Sequence, residues 1–132
     1  MRIFQKGFNF SEDGPGNRLV YHVAGCNLRC RWCANPEGFC VASTHREISP
    51  AEILAEAERC RMLFFEGGGV TFTGGEVTLY TDELIEVLRA LRERGIHTAI
   101  ETNGTFVNFL DLSPEIQNNI IARPDPHSTA MC

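Results

Sequence analysis

The sequence predicts an α/β fold in which parallel strands alternate with helices packed on one face. One supporting observation is the order of segments along the chain: strand, helix, strand, helix, strand. Strands joined by a crossover of helix length pair in parallel. The other is positional. Three stretches rich in cysteine, glycine and polar side chains each fall just past the C-terminal end of a strand, the edge where such sheets carry their chemistry.

Each element follows from local pattern. Arg18–Val23 (RLVYHV) is partly β-branched and aromatic and is ended by Gly25, which reads as a strand. Ser49-Pro50-Ala51-Glu52 opens a helix, with Ser as N-cap, Pro in the first turn and Glu at the capping-box position. That helix is expected to run to about Arg61, with Ile53, Leu54 and Ala57 facing inward. Val70–Thr73, flanked by glycines, is the second strand. Thr81 is expected to cap a second helix, Asp82 to Arg94, whose Leu84, Ile85, Leu88 and Leu91 recur at helical spacing and whose stop is Gly95. His97–Glu101 is the third strand, closed by Asn103-Gly104. Beyond Phe109 the pattern weakens. Ser113-Pro114-Glu115 is a candidate helix start, Ala122 to His127 reads as loop, and no fourth strand stands out.

Composition narrows the function. The chain has 132 residues, enough for one domain with its own core. No apolar run reaches membrane-spanning length, so no membrane partner is expected. The first residues lack the apolar core of a secretory signal, which points to a cytoplasmic location. A net charge of −5 gives no reason to expect nucleic acid. Six cysteines in a reducing compartment point to metal or redox chemistry before disulfides.

Three of those cysteines stand together in VAGCNLRCRWCANPEG: Cys26, Cys30 and Cys33. The spacing admits three readings. Intervals of four and three would align the thiols along one face of a helix as a buried stripe. Gly25, Asn27 and Pro36 instead frame a loop, and Arg29 and Arg31 are poor neighbours for a stripe. Structural zinc needs four closed ligands, and the fourth would have to be Cys40, His22 or His45. An iron–sulfur cubane on three thiolates leaves one iron open, which suits an enzyme whose substrate or cofactor binds that iron.

The pattern C-x3-C-x2-C resembles that of the radical S-adenosylmethionine (SAM) enzymes. The longer stretch EDGPGNRLVYHVAGCNLRCRWCANPEG is similar to the start of glycyl-radical-enzyme activating enzymes of the pyruvate formate-lyase activase type. Asp13-Gly14-Pro15-Gly16 and Asn35-Pro36 both match that family, whereas Ala34 stands where the family often has His. The resemblance runs roughly from Phe8 to Val107. It implies one radical SAM core domain over residues 1–132, incomplete at its C-terminal end. The implied fold is a partial (β/α) barrel cut to three or four β/α units, about the first half of such an enzyme. It also implies a [4Fe–4S] cluster on Cys26, Cys30 and Cys33, with SAM on the open iron and Trp32 near the adenine.

Two further motifs fit. Gly74-Gly75-Glu76 follows the second strand; glycines admit close approach of a ligand, and a carboxylate accepts from an ammonium group. In the resembled family this tripeptide binds the amino group of SAM. No Gly-Lys-Ser/Thr follows, which disfavours a phosphate-cradling loop. Glu101-Thr102-Asn103-Gly104 follows the third strand and stands where the family often has Asp-Thr-Asn-Gly near the SAM carboxylate, Glu101 being one methylene longer. Read from the residues alone, both stretches are also ordinary turns at strand ends.

The resemblance implies a 5′-deoxyadenosyl radical that installs a glycyl radical on a partner enzyme, Asp13 lying near the partner's glycine loop, and flavodoxin or ferredoxin as electron donor. The alternatives carried from the residues are a truncated, non-catalytic iron–sulfur module and a zinc-binding module. Cys40, Cys60 and Cys132 lack partner spacing, and His22, His45, His97 and His127 show no ligand spacing among themselves.

Overall fold

The computed structural model describes residues 1–42 and 45–105, with the backbone of 120–122. The elements are β1 (Arg2–Phe10), β2 (Asn17–Val23), β3 (Arg46–Glu47), α1 (Pro50–Arg59), β4 (Gly69–Gly74), α2 (Thr81–Glu93), β5 (His97–Thr102) and β6 (Ile120–Ala122). Among the described residues they form one sheet in the order β3-β1-β2-β4-β5-β6. β2, β4, β5 and β6 run parallel, with Val20 opposite Thr71 and Phe72 opposite Ile100.

The expectation of an all-parallel sheet is corrected at one side. β1 lies antiparallel to β2 and to β3, so the sheet is mixed. β1 reads poorly in sequence because, apart from Ile3, its side chains are half-buried or exposed, which leaves no clean apolar alternation. The expectation of no fourth parallel strand is also corrected, by β6, a segment of three residues paired with β5. The candidate helix start at Ser113, the loop from Arg123 to His127 and Cys132 lie outside the described residues.

Both helices pack on one face. Leu19, Tyr21, Val23, Val70, Phe72 and Ile100 of the sheet join Ile53 and Ala57 of α1 and Leu84, Val87, Leu88 and Leu91 of α2 in one core. Tyr21 stacks on Phe72 with ring centroids 5.6 Å apart and donates its hydroxyl to Glu56 Oε2 at 2.6 Å. Burial, reinforced by that carboxylate, pushes the Tyr21 hydroxyl far above its ordinary pKa, so it stays protonated.

The helix ends obey the expected chemistry, with small shifts. Ser49 and Glu52 form the reciprocal capping box of α1. α1 ends at Arg59, two residues early, and a short 3-10 turn at Arg61–Leu63 follows. Thr81 is the first residue of α2 instead of its cap, because a 3-10 turn over Val77–Tyr80 runs straight into the helix. Gly95, at φ +71°, ends α2 in a Schellman arrangement: its N–H donates to Arg92 O and that of Ile96 to Leu91 O.

The other face of the sheet is polar. Arg18, fully buried, donates from Nε to Thr71 Oγ1 at 2.6 Å, from Nη1 to Pro15 O at 3.0 Å and from Nη2 to Val70 O at 3.0 Å. Thr71 Oγ1 in turn donates to Asp13 O at 2.7 Å. The guanidinium thus fastens the 11–16 turn onto β4. Burial lowers its pKa to about 10, against the opposing pull of Asp13, so it remains charged at neutral pH.

Candidate metal and cofactor site

The cysteine segment leaves β2 at Val23 and folds as a loop, not a helix. Gly25 N donates to Gly38 O at 2.8 Å and Cys26 N to Phe39 O at 3.1 Å, closing the loop onto the 3-10 turn Pro36–Gly38. No helix covers 26–33, so the buried helical stripe is excluded. Within the loop, backbone amides turn toward sulfur: Leu28 N lies 3.4 Å from Cys26 Sγ and Asn35 N 3.4 Å from Cys33 Sγ. Cys26 and Cys33 are half-buried free thiols. Trp32 is 46% exposed, which rules out core packing for it.

No three His, Cys, Asp or Glu side chains stand within range of a common ion among the described residues. The fourth ligands weighed for zinc are placed elsewhere. Cys40 is exposed beside the Arg29 guanidinium. His45 Nδ1 already accepts from Ala42 N at 3.2 Å. His22 lies within β2 with its ring 5.6 Å from that of Phe4. The donor set fits an iron–sulfur cluster better than a closed zinc site: three cysteines share one surface loop, and two already receive backbone N–H groups of the kind that stabilise thiolate.

The glycine turn after β4 sits directly on this loop. Gly75 N donates to Val23 O and Glu76 N to Gly25 O, each at 2.8 Å. A Cβ at position 75 would lie 2.1 Å from Gly25 O, so only glycine allows this approach. The Glu76 carboxylate is buried, 1% exposed. Its Oε1 accepts from Thr78 N at 3.2 Å, Thr78 Oγ1 at 2.8 Å and Thr102 Oγ1 at 2.5 Å. Its Oε2 accepts from Asn103 N at 2.7 Å, which leaves acceptor capacity on that oxygen. Glu76 therefore joins the turn after β4 to the turn after β5.

Asn103 extends the connection to the cysteine loop through Asn27, with Nδ2 3.0 Å from Asn27 Oδ1. Glu101 turns to the polar face, where its Oε2 accepts from Thr73 Oγ1 at 2.9 Å. The structure thus brings Cys26, Gly74, Gly75, Glu76 and Asn103 together at one edge. Asp13 is not among them. It stands on the polar face, where its O accepts from Thr71 Oγ1 at 2.7 Å and its charge acts on both Arg18 and His22. There its Oδ2 accepts from Asn9 Nδ2 at 2.6 Å.

Sequence reasoning missed Thr78 and Thr105 as members of the site, and it assigned no bonds to Asn27 or Thr102 within the motifs it named. Their hydrogen-bond partners are two to 78 positions away in sequence, and no local signal marks them.

Comparison with known proteins gives the family. The sequence model of the Radical SAM superfamily matches residues 20–121. A pyruvate formate-lyase-activating enzyme of Clostridium pasteurianum is 46% identical over 93 residues, 70% of this chain and 39% of that protein. Proteins of the same name from Streptococcus mutans and Staphylococcus epidermidis are 38% identical over 93 residues and 37% over 97. Those matches cover 70% and 73% of this chain, but 35% and 39% of the relatives. The chain thus spans well under half the length of the relatives it matches. By its cysteine loop, its sheet edge and the family match across most of its length, the chain belongs to the radical SAM superfamily.

Proposed function

We propose that this chain is the first part of a radical SAM activating enzyme, a single core domain over residues 1–132 whose parallel strands begin a partial barrel. The observation that carries the reading is the junction of three motifs at one sheet edge: the glycine turn rests on the cysteine loop, and the Glu76 carboxylate receives Thr102 Oγ1 and Asn103 N from the third motif. An edge built this way holds a cluster on one side and a small cofactor on the other.

In this reading Cys26, Cys30 and Cys33 hold a [4Fe–4S] cluster, and SAM lies against Gly74, Gly75, Glu76, Glu101 and Asn103 with Trp32 toward the adenine. When bound, the cluster supplies one electron to the SAM sulfonium, giving methionine and a 5′-deoxyadenosyl radical that takes a hydrogen atom from a glycine of the partner enzyme. The chain's own residues supply position. The Gly75 backbone meets the loop too closely for any side chain to intervene. Glu76 fixes the two turns relative to each other through buried, charge-assisted bonds. Exposed Trp32 is free to close over a flat ring. The resemblance assigns Asp13, on the polar face, to the partner's glycine loop. The similarity to pyruvate formate-lyase-activating enzymes supports a glycyl radical enzyme as that partner, with flavodoxin or ferredoxin as donor.

The test is anoxic reconstitution of the reduced chain with iron and sulfide, followed by SAM and a low-potential reductant. The reading expects about four iron and four sulfide per chain, with formation of 5′-deoxyadenosine. Both should be lost in Cys26→Ala. A cluster without SAM cleavage would identify a non-catalytic iron–sulfur module, and one tightly held zinc would identify a zinc module.

A further inference from the structure

The amide of Asn103 is held in one orientation. Its Oδ1 accepts from Thr105 N at 3.0 Å and from Thr105 Oγ1 at 2.7 Å. Because Thr105 N can only donate, the oxygen must face it and the NH2 must face the other way. On that side stand Asn27 Oδ1 at 3.0 Å and Cys26 Sγ at 3.9 Å. Asn27 Nδ2 donates to Thr105 Oγ1 at 2.7 Å, so Asn27, Asn103 and Thr105 close a ring of hydrogen bonds. The ring is anchored from below, where Asn103 N donates to buried Glu76 Oε2 at 2.7 Å.

This geometry has two consequences. The ring ties the start of the cysteine loop to the end of β5, so residue 26 is fixed by a contact 77 positions away. It also aims an N–H at the sulfur of Cys26 alone. Cys26 and Cys33 each receive a local backbone amide, Leu28 N and Asn35 N, and the Asn103 N–H is an addition at Cys26. A donor on a ligating sulfur stabilises the more negative, reduced state of the metal group and raises its potential.

We propose that Asn103 is a positioning residue for Cys26, latching the cysteine loop through Asn27 and Thr105 and donating to Cys26 Sγ. The latch is a property of the metal-free chain, whereas the effect on potential rests on the cluster reading above. Asn103 acts through Cys26 in both.

The experiment has two arms on the full chain. In the first, amide deuterium exchange of the reduced, metal-free protein compares wild type with Asn103→Ala, Asn103→Asp and Asn27→Ala. The proposal expects amides of 26–33 to exchange at least about threefold faster in all three, and equal exchange in wild type and variants overturns the latch. In the second, the midpoint potential of each reconstituted protein is titrated. Asn103→Asp keeps the Thr105 contacts but replaces the donor by an acceptor, so it should lower the reduced-to-oxidised ratio at fixed poise at least as much as Asn103→Ala. A tenfold fall corresponds to about 59 mV. Asn27→Ala keeps the donor and should leave the ratio near wild type. A merely structural role would instead make Asn103→Ala the worse variant and leave Asn103→Asp at the wild-type potential, which refutes the donor. If wild type itself takes up no cluster, the activating-enzyme reading fails, and the exchange arm still decides the latch.

Discussion

Replacing Glu76 by Gln isolates the carboxylate that joins two turns of the site. The side chain keeps its shape, so the change is electronic. Its oxygen can stay with Thr78 N, Thr78 Oγ1 and Thr102 Oγ1, the three donors now on Oε1. The new NH2 must then face Asn103 N, donor against donor, where a 2.7 Å charge-assisted bond stood. The flipped amide keeps Asn103 N and can donate to the threonine hydroxyls, which also accept, but it then faces Thr78 N, so either orientation strands one backbone donor. A hydrogen bond to a charged group contributes about 1.5–3 kcal/mol, and the bond lost here leaves a half-buried donor unpaired. Full burial of the side chain argues for the middle of that range or above, about 2–3 kcal/mol. At roughly 4 °C per kcal/mol for a domain of this size, Tm should fall by about 8–12 °C. Urea and thermal unfolding of the reduced, metal-free chain measure it, with Glu76→Ala expected to lose more. A Glu76→Gln protein within about 0.5 kcal/mol of wild type, the scatter of ordinary surface changes, would show that Glu76 does not hold the two turns together.

Other outcomes follow from single contacts. Gly75→Ala puts a methyl group 2.1 Å from Gly25 O, a backbone atom that cannot step aside, and should cost at least about 1–3 kcal/mol in urea unfolding. Ser49→Ala removes one half of the α1 capping box and should cost about 1 kcal/mol by the same measurement. Burial lowers the pKa of His22 and, with help from the Arg18 charge, that of His97. The unfolded chain therefore binds more protons below about pH 6.5, so the two histidines contribute stability that is complete above that pH and declines as pH falls through their folded values. The slope of stability against pH between about 6.5 and 5 should flatten in a His22→Asn/His97→Asn double variant; an unchanged slope would assign it to other groups.

The helices are legible because one face alone is buried, and the parallel strands because burial on both faces leaves continuous runs. Helix α2 follows its leucines, α1 its capping box, and β2, β4 and β5 their β-branched and aromatic runs. β1 is opaque for the opposite reason: from Lys6 to Phe10 its burial shows no alternation, and Phe8 and Phe10 stay exposed. At the site, the positions of cysteine, glycine and acidic motifs past three strand ends are readable from order alone. The partners of Glu76 and Asn103 are not, because hydrogen bonds spanning 26 or 77 positions leave no periodic trace in a single sequence. The polar face is intermediate: Arg18 in a strand is visible as a charge in the wrong place, but the carbonyl groups of Pro15 and Val70 that make its burial tolerable emerge only in three dimensions.

A three-thiolate cluster open to SAM is the feature on which the proposed activity depends. Electron paramagnetic resonance of the anoxically reconstituted, reduced chain, recorded with and without SAM, tests it most directly. A cubane signal whose shape changes on adding SAM is the expected result. A chain that carries no such signal, or one whose signal is the same with and without SAM, contradicts the account.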